Sequence, residues 1–403
     1  MPPLRVHSLG RLLLRHGFFY ALALSALGAA VAICVTCLTS QVMTDRTLIT
    51  QFLFWIPLWA YAVLLLVVLL LSAALLIISF LLRRARLPLH EWNASDVAHR
   101  RLVAVLSMLL LIAFGLGAVG WLRQRTPSSL TPVEAANAEV RILHWNLSSP
   151  DTHTWPGVIT DVPECRHADV LLLGVTMDDA QFTRVMKPLA QSHHIRRIGT
   201  LAVLSRFPIS DVRTIDLKLD SIVNATRRDG SSPEAWYQTL YNDHAEKLGI
   251  SRREFGLPDP GDIIAFTLTT PSGQVPIQFI DLPSSPLASR HAIALATAER
   301  IRDAVLPAPQ LIIGDFNIPA ASQSLSAIAP GYRLAARHAH DADSGPTWPR
   351  ARPLLQIDHA LVHPSITTRV YRTFDPGFSD HWGQFLIFTP VKSSPSESVV
   401  PPG

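Results

Sequence analysis

Apolar positions are distributed unevenly along the chain, in long runs over the first third and in short runs after it. Three stretches without a charged residue occupy residues 17–39, 51–82 and 102–122. At a rise of about 1.5 Å per residue, each is long enough as a helix to cross a hydrocarbon core of about 30 Å. We therefore expect residues 1–123 to be a membrane anchor of three transmembrane helices. A signal peptide would explain only the first stretch, which lacks a small-residue cleavage site, and buried core helices are the other alternative.

Arginines flank these stretches unevenly and so predict their orientation. The loop between the first two stretches has only Arg46, next to Asp45. The other arginines are Arg5, Arg11 and Arg15 before the first stretch, and Arg83, Arg84, Arg86, Arg100 and Arg101 between the second and third. Because positively charged loops stay in the cytoplasm, we expect a multi-pass protein of the cytoplasmic membrane with a cytoplasmic N-terminus. Three crossings then place the C-terminal domain on the extracytoplasmic side.

The short apolar runs of the remaining chain predict a folded α/β domain. Residues 124–138, with prolines and serines, predict a linker, residues 139–390 the domain, and residues 391–403 a disordered tail. The predicted strands are 140–146, 168–175, 199–209, 262–270, 275–283, 310–317 and 356–363, and the predicted helices are 178–191, 233–248 and 287–305. Several strands are continuously apolar and they alternate with helices, which is typical of sheets buried under helices.

Composition and charge narrow the function. The chain is 48% hydrophobic and 16% charged, and most of the apolar excess lies in the three long stretches. The net charge of +4 is small for 403 residues, and no basic stripe is evident, so long nucleic acid is a less favoured partner. Cys34 and Cys37 lie within the first apolar stretch, and Cys165 is alone in the domain, which therefore has no internal disulfide.

Polar residues recur where predicted strands begin or end. The residues concerned are Asn146, Asp315, Asn317, Asp358, Asp380 and His381. One such acid is usually a turn or cap residue, but carboxylate and amide oxygens together are the ligands that Mg²⁺ and Mn²⁺ accept. An aspartate near a histidine fixes the imidazole in one tautomer for acid–base chemistry.

Several motifs occur in an order typical of one family. They are HWN (144–146), LSRFPI (204–209), GDFN (314–317), TWP (347–349), QIDHALV (356–362) and SDH (379–381). Residues 139–390 thereby resemble the endonuclease/exonuclease/phosphatase superfamily, with its deoxyribonuclease-I-like fold. The resemblance implies a four-layer α/β sandwich, two packed β-sheets flanked by helices, that hydrolyses phosphoesters with a divalent metal.

The resemblance also implies roles for the motif residues. Asp315 would position or deprotonate the attacking water, and Asn317 would bond the phosphoryl oxygens. Asp358 would orient His381, which would contact the phosphate. Asn146 would bind metal or phosphate, so the expected catalytic residues are Asp315, Asn317, Asp358 and His381, and the expected substrate ligands are Asn146, Asn317 and His381.

The expected metal ligands are Asn146, Asp380 and Asp281, and the site departs from the family pattern. The family's second strand usually ends in a glutamate ligand, but Val175 stands at that position. We therefore expect one weakened Mg²⁺ or Mn²⁺ site. Asp281 stands where the family usually has a histidine, and it either replaces the lost carboxylate or caps a turn. Two further acids, Asp178 and Asp179, either reach the site or begin helix 178–191, and the second interpretation is favoured.

The sequence thus predicts a membrane-anchored, extracytoplasmic, metal-dependent phosphoesterase. Its expected partners are a phosphorylated small molecule, a lipid head group or a polyprenyl phosphate at the membrane surface. A catalytically degenerate, membrane-tethered binding module on the same fold is the alternative, since Val175 and Asp281 replace usual site residues. The role of the insertion at 221–258 and the oligomeric state are not indicated.

Overall fold

The computed structural model describes residues 6–84, 104–106, 108–119, 138–147, 162–175, 178–219, 261–285, 288–304 and 306–391. The predicted helix 233–248 and the insertion 221–258 lie outside these ranges, as do nearly all of the linker and tail. The chain divides into two compact units. The first comprises Met1–Thr44 and Phe52–Arg123, and the second comprises Asp45–Gln51 and Gln124–Gly403.

The N-terminal helices are α1 (Val6–Met43), α2 (Leu48–Trp55) and α3 (Leu58–Arg84). Two segments are long and apolar enough to cross a membrane, Ala21–Met43 and Leu58–Leu81. The expectation of three such helices is therefore met only in part, because the helix within the third predicted stretch, Ala104–Val119, is shorter. The predicted stretch 51–82 is also interrupted, since Pro57 has no amide hydrogen and separates α2 from α3.

The second unit contains thirteen strands and five further α-helices in its described residues, together with a short 3-10 helix, Lys187–Leu189. The strands are β1 (Val140–Leu147), β2 (Val170–Val175), β3 (His194–Ile198), β4 (Leu201–Ser205), β5 (Ile209–Ile215), β6 (Asp262–Thr270), β7 (Gly273–Asp281), β8 (Leu311–Asp315), β9 (Arg333–Leu334), β10 (Asp341–Asp343), β11 (Asp358–Val362), β12 (Thr367–Phe374) and β13 (Gly383–Thr389). The helices are α4 (Pro163–His167), α5 (Asp179–Met186), α6 (Arg290–Asp303), α7 (Gln323–Ile328) and α8 (Ala335–His338).

The strands form two sheets. The seven-stranded sheet has the order β10-β12-β13-β1-β2-β4-β3, and the six-stranded sheet has the order β5-β6-β7-β8-β11-β9. A core between the sheets contains Ile142 of β1, Phe279 of β7 and Ile313 of β8. Alternate residues of the same strands pack on the outer faces, where Phe182 of α5 covers one sheet and Ile293 of α6 the other. This helix–sheet–sheet–helix arrangement confirms the predicted α/β sandwich.

The strand predictions fail in instructive places. The run 199–209 is not one strand, because the chain turns at Pro208 and passes from β4 in one sheet to β5 in the other. Five strands lie outside the predicted ranges, namely β3, β9, β10, β12 and β13. Of these, β3 and β12 contain arginines among their apolar residues and therefore resemble polar segments. Cys165 is a free cysteine and is buried.

Candidate active site

The site lies where central strands of the two sheets end. In the six-stranded sheet, Asp281 at the end of β7 is paired in register with Asp315 at the end of β8. Asp315 is paired in turn with Asp358 at the start of β11, and Asp281 with Asp262 at the start of β6. Residues in register project from the same face of a sheet. Four aspartates therefore form a row on the face that meets the other sheet.

The amide of Asn146 joins the two sheets at this row. Its Nδ2 donates a hydrogen bond of 2.9 Å to Oδ2 of Asp315, and both side chains are buried. The other oxygen of Asp315 accepts a bond of 2.9 Å from the backbone N–H of Asn317. The Asp315 carboxylate is thus fixed by one bond to each of its oxygens.

His381 lies between two of the carboxylates. Its Nδ1 is 3.0 Å from Oδ2 of Asp358, and its Nε2 is 3.7 Å from Oδ2 of Asp315. The backbone carbonyl of His381 accepts a bond of 3.3 Å from the indole of Trp145. One ligand atom from each of Asp315, Asp358 and His381 lies within 4.8 Å of the other two. This buried group is able to hold a metal ion or a proton that is shared among its members.

Burial and charge together set the protonation states. Burial alone would lower the pKa of His381, but the carboxylates of Asp358 and Asp315 raise that pKa to about 10. Burial and the nearby charge of Asp358 raise the pKa of Asp315 to about 6. Burial opposes ionisation of Asp358, but the imidazolium and its hydrogen bond leave the pKa of Asp358 lowered. At neutral pH the arrangement is an imidazolium bonded to an ionised Asp358.

The GDFN turn needs its glycine. Gly314 has φ of +153°, and a Cβ there would lie 1.8 Å from the carbonyl oxygen of Ile280 on β7. Asn317 follows with φ of +50°, a conformation that asparagine tolerates better than most residues. Its Nδ2 donates a bond of 2.8 Å to the carbonyl of Leu282. Asn317 therefore holds the chain that follows Asp281, and its expected bond to phosphoryl oxygens stays a prediction.

Asp380 is placed by its neighbour. Ser379 has φ of +64°, and its hydroxyl donates a bond of 2.5 Å to the backbone carbonyl of Asn146. The carboxylate of Asp380 is 3.4 Å from the same hydroxyl and is buried. The SDH motif is thus fastened to the end of β1, next to Asn146.

The sequence matches the model of the endonuclease/exonuclease/phosphatase family over residues 143–381. The chain belongs to this family. Among curated proteins none matches.

Solved structures that are similar include an endonuclease/exonuclease/phosphatase family protein from Bacteroides thetaiotaomicron, which is 14% identical, with 62% of this chain and 97% of that chain covered and a TM-score of 0.44. The mannosyl-6-phosphatase of the same organism is 14% identical, with coverages of 62% and 99% and a TM-score of 0.44. Truncated TDP2 of Caenorhabditis elegans is 15% identical, with coverages of 62% and 98% and a TM-score of 0.42.

The last two residues of β2, Gly174 and Val175, carry no polar side chain. Val175 is buried in the outer core of the seven-stranded sheet, with Leu173 and Leu147. The residue paired in register with Asn146 is Gly174, where a Cβ would lie 2.9 Å from Oδ1 of Asn146. Gly174 therefore allows the amide of Asn146 to lie close against β2, and the end of this strand contributes no ligand.

Asp178 and Asp179 are helix-start residues, as favoured from the sequence. Asp178 caps α5 in a capping box. Its side chain accepts a hydrogen bond from the backbone N–H of Gln181, and the side chain of Gln181 accepts one from the backbone N–H of Asp178. Asp179 is exposed and forms an ion pair of 3.0 Å with Arg197. Neither residue belongs to the carboxylate row.

A buried histidine behind Asp358 was missed. His144 of β1 accepts a bond of 2.9 Å from the amide of Gln384, and its Nδ1 is 3.8 Å from Oδ1 of Asp358. Burial lowers the pKa of His144 to about 4, so the ring is neutral. The backbone N–H of Asp358 donates a bond of 3.3 Å to Oγ1 of Thr347 in the TWP motif. The signal for His144 was present, because residues i and i+2 of a strand share a face and Asn146 is two residues on.

The donors of the site fit a hard divalent cation. Asn146, Asp315 and Asp380 offer buried oxygens, and the row of four aspartates has an excess of negative charge that one imidazolium offsets only in part. Mg²⁺ and Mn²⁺ prefer such ligands. Within the residues described, the tight group contains Asp315, Asp358 and His381 and includes neither Asp281 nor Asp380.

Proposed function

We propose that this family member is a membrane-anchored phosphoesterase that requires a divalent metal. The observation that carries the proposal is the buried constellation of Asn146, Asp315, Asp358 and His381 at the meeting point of the two sheets. Burying several ionisable groups together is costly for a fold. Such clusters of perturbed groups are concentrated at functional sites.

The geometry supports a separate role for each of three residues when water attacks the phosphorus atom of a phosphoester. Asp315 accepts the proton of the attacking water, and a pKa raised to about 6 makes it a stronger base than an ordinary aspartate while it remains ionised at neutral pH. The Nε2–H of the His381 imidazolium donates to a phosphoryl oxygen and stabilises its developing charge. Asp358, bonded to Nδ1 at 3.0 Å, fixes the ring and its charge.

Asn146, Asp380 and Asp281 would hold the metal ion. A bound Mg²⁺ or Mn²⁺ supplies Lewis acidity that polarises the phosphoryl oxygen and stabilises the leaving group. Because Gly174 and Val175 supply no carboxylate, we expect weaker metal binding than in members with the glutamate. Mn²⁺, which tolerates less regular coordination, should support the reaction at lower concentration than Mg²⁺.

We propose an extracytoplasmic domain on a three-span anchor, with residues 102–122 as the third span. The supporting observation is that Asp45–Gln51 belongs to the same unit as the catalytic residues. This segment lies between the two apolar helices Ala21–Met43 and Leu58–Leu81. The segment and the domain lie on the same side of the membrane only if the chain between them crosses the membrane an even number of times. Because α3 is one crossing, a second crossing must follow it. Proteolysis of intact spheroplasts tests this, since cleavage of the domain is expected and full protection would refute it.

A substrate at the membrane surface suits an anchored enzyme. We propose a phosphorylated small molecule, a lipid head group or a polyprenyl phosphate, with long nucleic acid less favoured because the net charge is only +4. A panel of a phosphodiester, a phosphomonoester and a polyprenyl phosphate in mixed micelles separates these classes.

A tethered, non-catalytic binding module is the second candidate. It is favoured by the missing ligand at the end of β2, where Val175 is part of the core. The two candidates differ in turnover and not in metal binding.

The deciding experiment uses the purified full-length protein in detergent with Mn²⁺ or Mg²⁺ and the substrate panel. Metal-dependent hydrolysis that is lost in Asp315→Asn and kept in the exposed control Asp303→Asn supports the enzyme. Metal binding by calorimetry without hydrolysis of any class supports the binding module.

A further inference from the structure

The seven residues Asp45–Gln51 belong to the second unit although they precede its first strand by about ninety positions. Asp45 and Gln51 are fully buried. The turn between them is internally bonded, since Thr47 and Thr50 each accept the other's backbone N–H at 3.1 and 3.2 Å. Gln51 is therefore presented by a capped first turn of α2.

Gln51 forms hydrogen bonds to the start of α6 with both the oxygen and the nitrogen of its side-chain amide. Its Oε1 accepts from the backbone N–H of Arg290 at 2.9 Å, and its Nε2 donates to the carbonyl of Ala288 at 3.2 Å. The N-cap residue Ser289 lies between these two positions. The side-chain amide thus satisfies backbone groups on both sides of the helix cap.

Arg290 in turn forms hydrogen bonds to the chain that follows Asp281. Its guanidinium, also fully buried, donates to the carbonyl of Pro283 and, at 2.6 Å, to that of Ser285. The next residue toward the site, Leu282, donates its N–H to the carbonyl of Asp315 at 2.9 Å. The carbonyl of Leu282 accepts from Asn317. A continuous series of bonds therefore runs from Gln51 to Asp315.

Asp45 makes the equivalent contact after β8. Its Oδ2 accepts a bond of 2.5 Å from the hydroxyl of Ser322, which caps α7 by accepting from the N–H of Ser324 at 2.9 Å. Ser322 is five residues beyond Asn317 along the chain. The segment thus contacts the loops that follow two neighbouring strands of the carboxylate row, β7 and β8.

We propose that Asp45–Gln51 is a positioning segment for the active site, which fixes the loops after Asp281 and Asp315 in their working geometry. This proposal rests on the proposed phosphoesterase function. Residues that hydrogen-bond to the ligands of a metal site typically change metal affinity or activity by about 10–100-fold when replaced. Asp45 and Gln51 act through Ser322 and Arg290 and touch no reacting group.

The test compares matched variants of the full-length protein in detergent. Gln51→Met keeps the size of the side chain and removes both bonds. Asp45→Asn keeps an oxygen acceptor for Ser322, and Asp45→Ala removes it. Gln278→Met, which replaces another buried glutamine on β7, controls for general destabilisation. Each is assayed for hydrolysis of bis(p-nitrophenyl) phosphate with saturating Mn²⁺, and for amide hydrogen exchange over residues 282–293 and 317–325.

Gln51→Met and Asp45→Ala are expected to lower kcat about tenfold with KM within twofold, and to speed exchange in the loop each one contacts. Asp45→Asn and Gln278→Met should retain the wild-type kcat. Unchanged exchange and unchanged kcat in both Gln51→Met and Asp45→Ala would overturn the proposal. If the wild type hydrolyses neither bis(p-nitrophenyl) phosphate nor any class of the substrate panel, the proposed function fails. In that case the exchange rates alone decide whether the segment orders these loops, and unchanged rates overturn it.

Discussion

Replacing Asp358 by asparagine should destabilise the domain far more than its small change in shape suggests. The side chain is fully buried, and its Oδ2 is 3.0 Å from Nδ1 of His381. Removing one partner of a buried ion pair leaves the other charge uncompensated and costs about 3–5 kcal/mol. For a domain of this size, that corresponds to a fall in Tm of about 10 °C.

The loss of stability caused by Asp358→Asn should depend on pH, and the pKa shifts of His381 and Asp358 determine the direction of that dependence. Because the pKa of His381 is raised from 6.5 to about 10, its contribution to stability is fully present below pH 6.5 and is lost as pH rises through about 10. The pKa of Asp358 is lowered from 3.8, so its contribution is present above pH 3.8 and is lost as pH falls through the lowered value. The difference between wild type and Asp358→Asn should be largest near pH 6 and should shrink above pH 10.

Thermal unfolding of the metal-free protein, followed by tryptophan fluorescence, measures the effect. Trp145 is a suitable reporter, since its indole is buried and bonded to the carbonyl of His381. Asp303→Asn, at an exposed ion pair with Arg302, should change Tm by less than about 2 °C. A loss for Asp358→Asn that matches the Asp303→Asn control, or that is equally large at pH 6 and pH 10.5, would refute the ion-pair reasoning.

Three further substitutions test the local structure by thermal unfolding together with hydrolysis or metal binding. Gly314→Ala should cost about 3 kcal/mol or more, because its Cβ would meet the carbonyl oxygen of Ile280; a loss below 1 kcal/mol would show that the strand moves easily. Asp178→Ala should cost about 1 kcal/mol as a lost helix cap and leave hydrolysis and metal affinity unchanged, whereas weaker metal binding would make it a ligand. Val175→Glu should destabilise the domain by about 3 kcal/mol or more as an unpaired buried charge, and tighter Mn²⁺ binding in calorimetry would contradict the placement of this side chain.

Much of the fold was predictable because its strands are continuously apolar. The run 262–270 coincides with β6, and the run 140–146 is one residue short of β1. The strand β12 (Thr367–Phe374) was missed because Arg369 and Arg372 reach outward to acids of neighbouring segments, Glu139 and Asp341. When the polar residues of a segment pair only with distant residues after folding, the hydrophobic pattern of that segment alone is too weak to predict a strand.

The sequence predicted which residues form the site better than it predicted the hydrogen bonds that those residues make. The motifs identified Asn146, Asp315, Asp358 and His381, which the structure brings together. The bond from Asn317 to Leu282 joins residues 35 positions apart, and those to Gln51 and Asp45 span more than 230. No periodicity or local motif contains such partnerships, because they depend on how whole strands are ordered in the sheet.

The most direct test of the account is the rate of Mn²⁺-dependent phosphodiester hydrolysis by the full-length protein with Asp315 intact and with Asp315→Asn. We predict turnover by the wild type that falls at least about a hundredfold in the variant, because the proton acceptor is lost. Equal rates for the two proteins would contradict the assignment of Asp315 as the catalytic base. Absence of both turnover and Mn²⁺ binding at millimolar concentration would contradict the phosphoesterase itself.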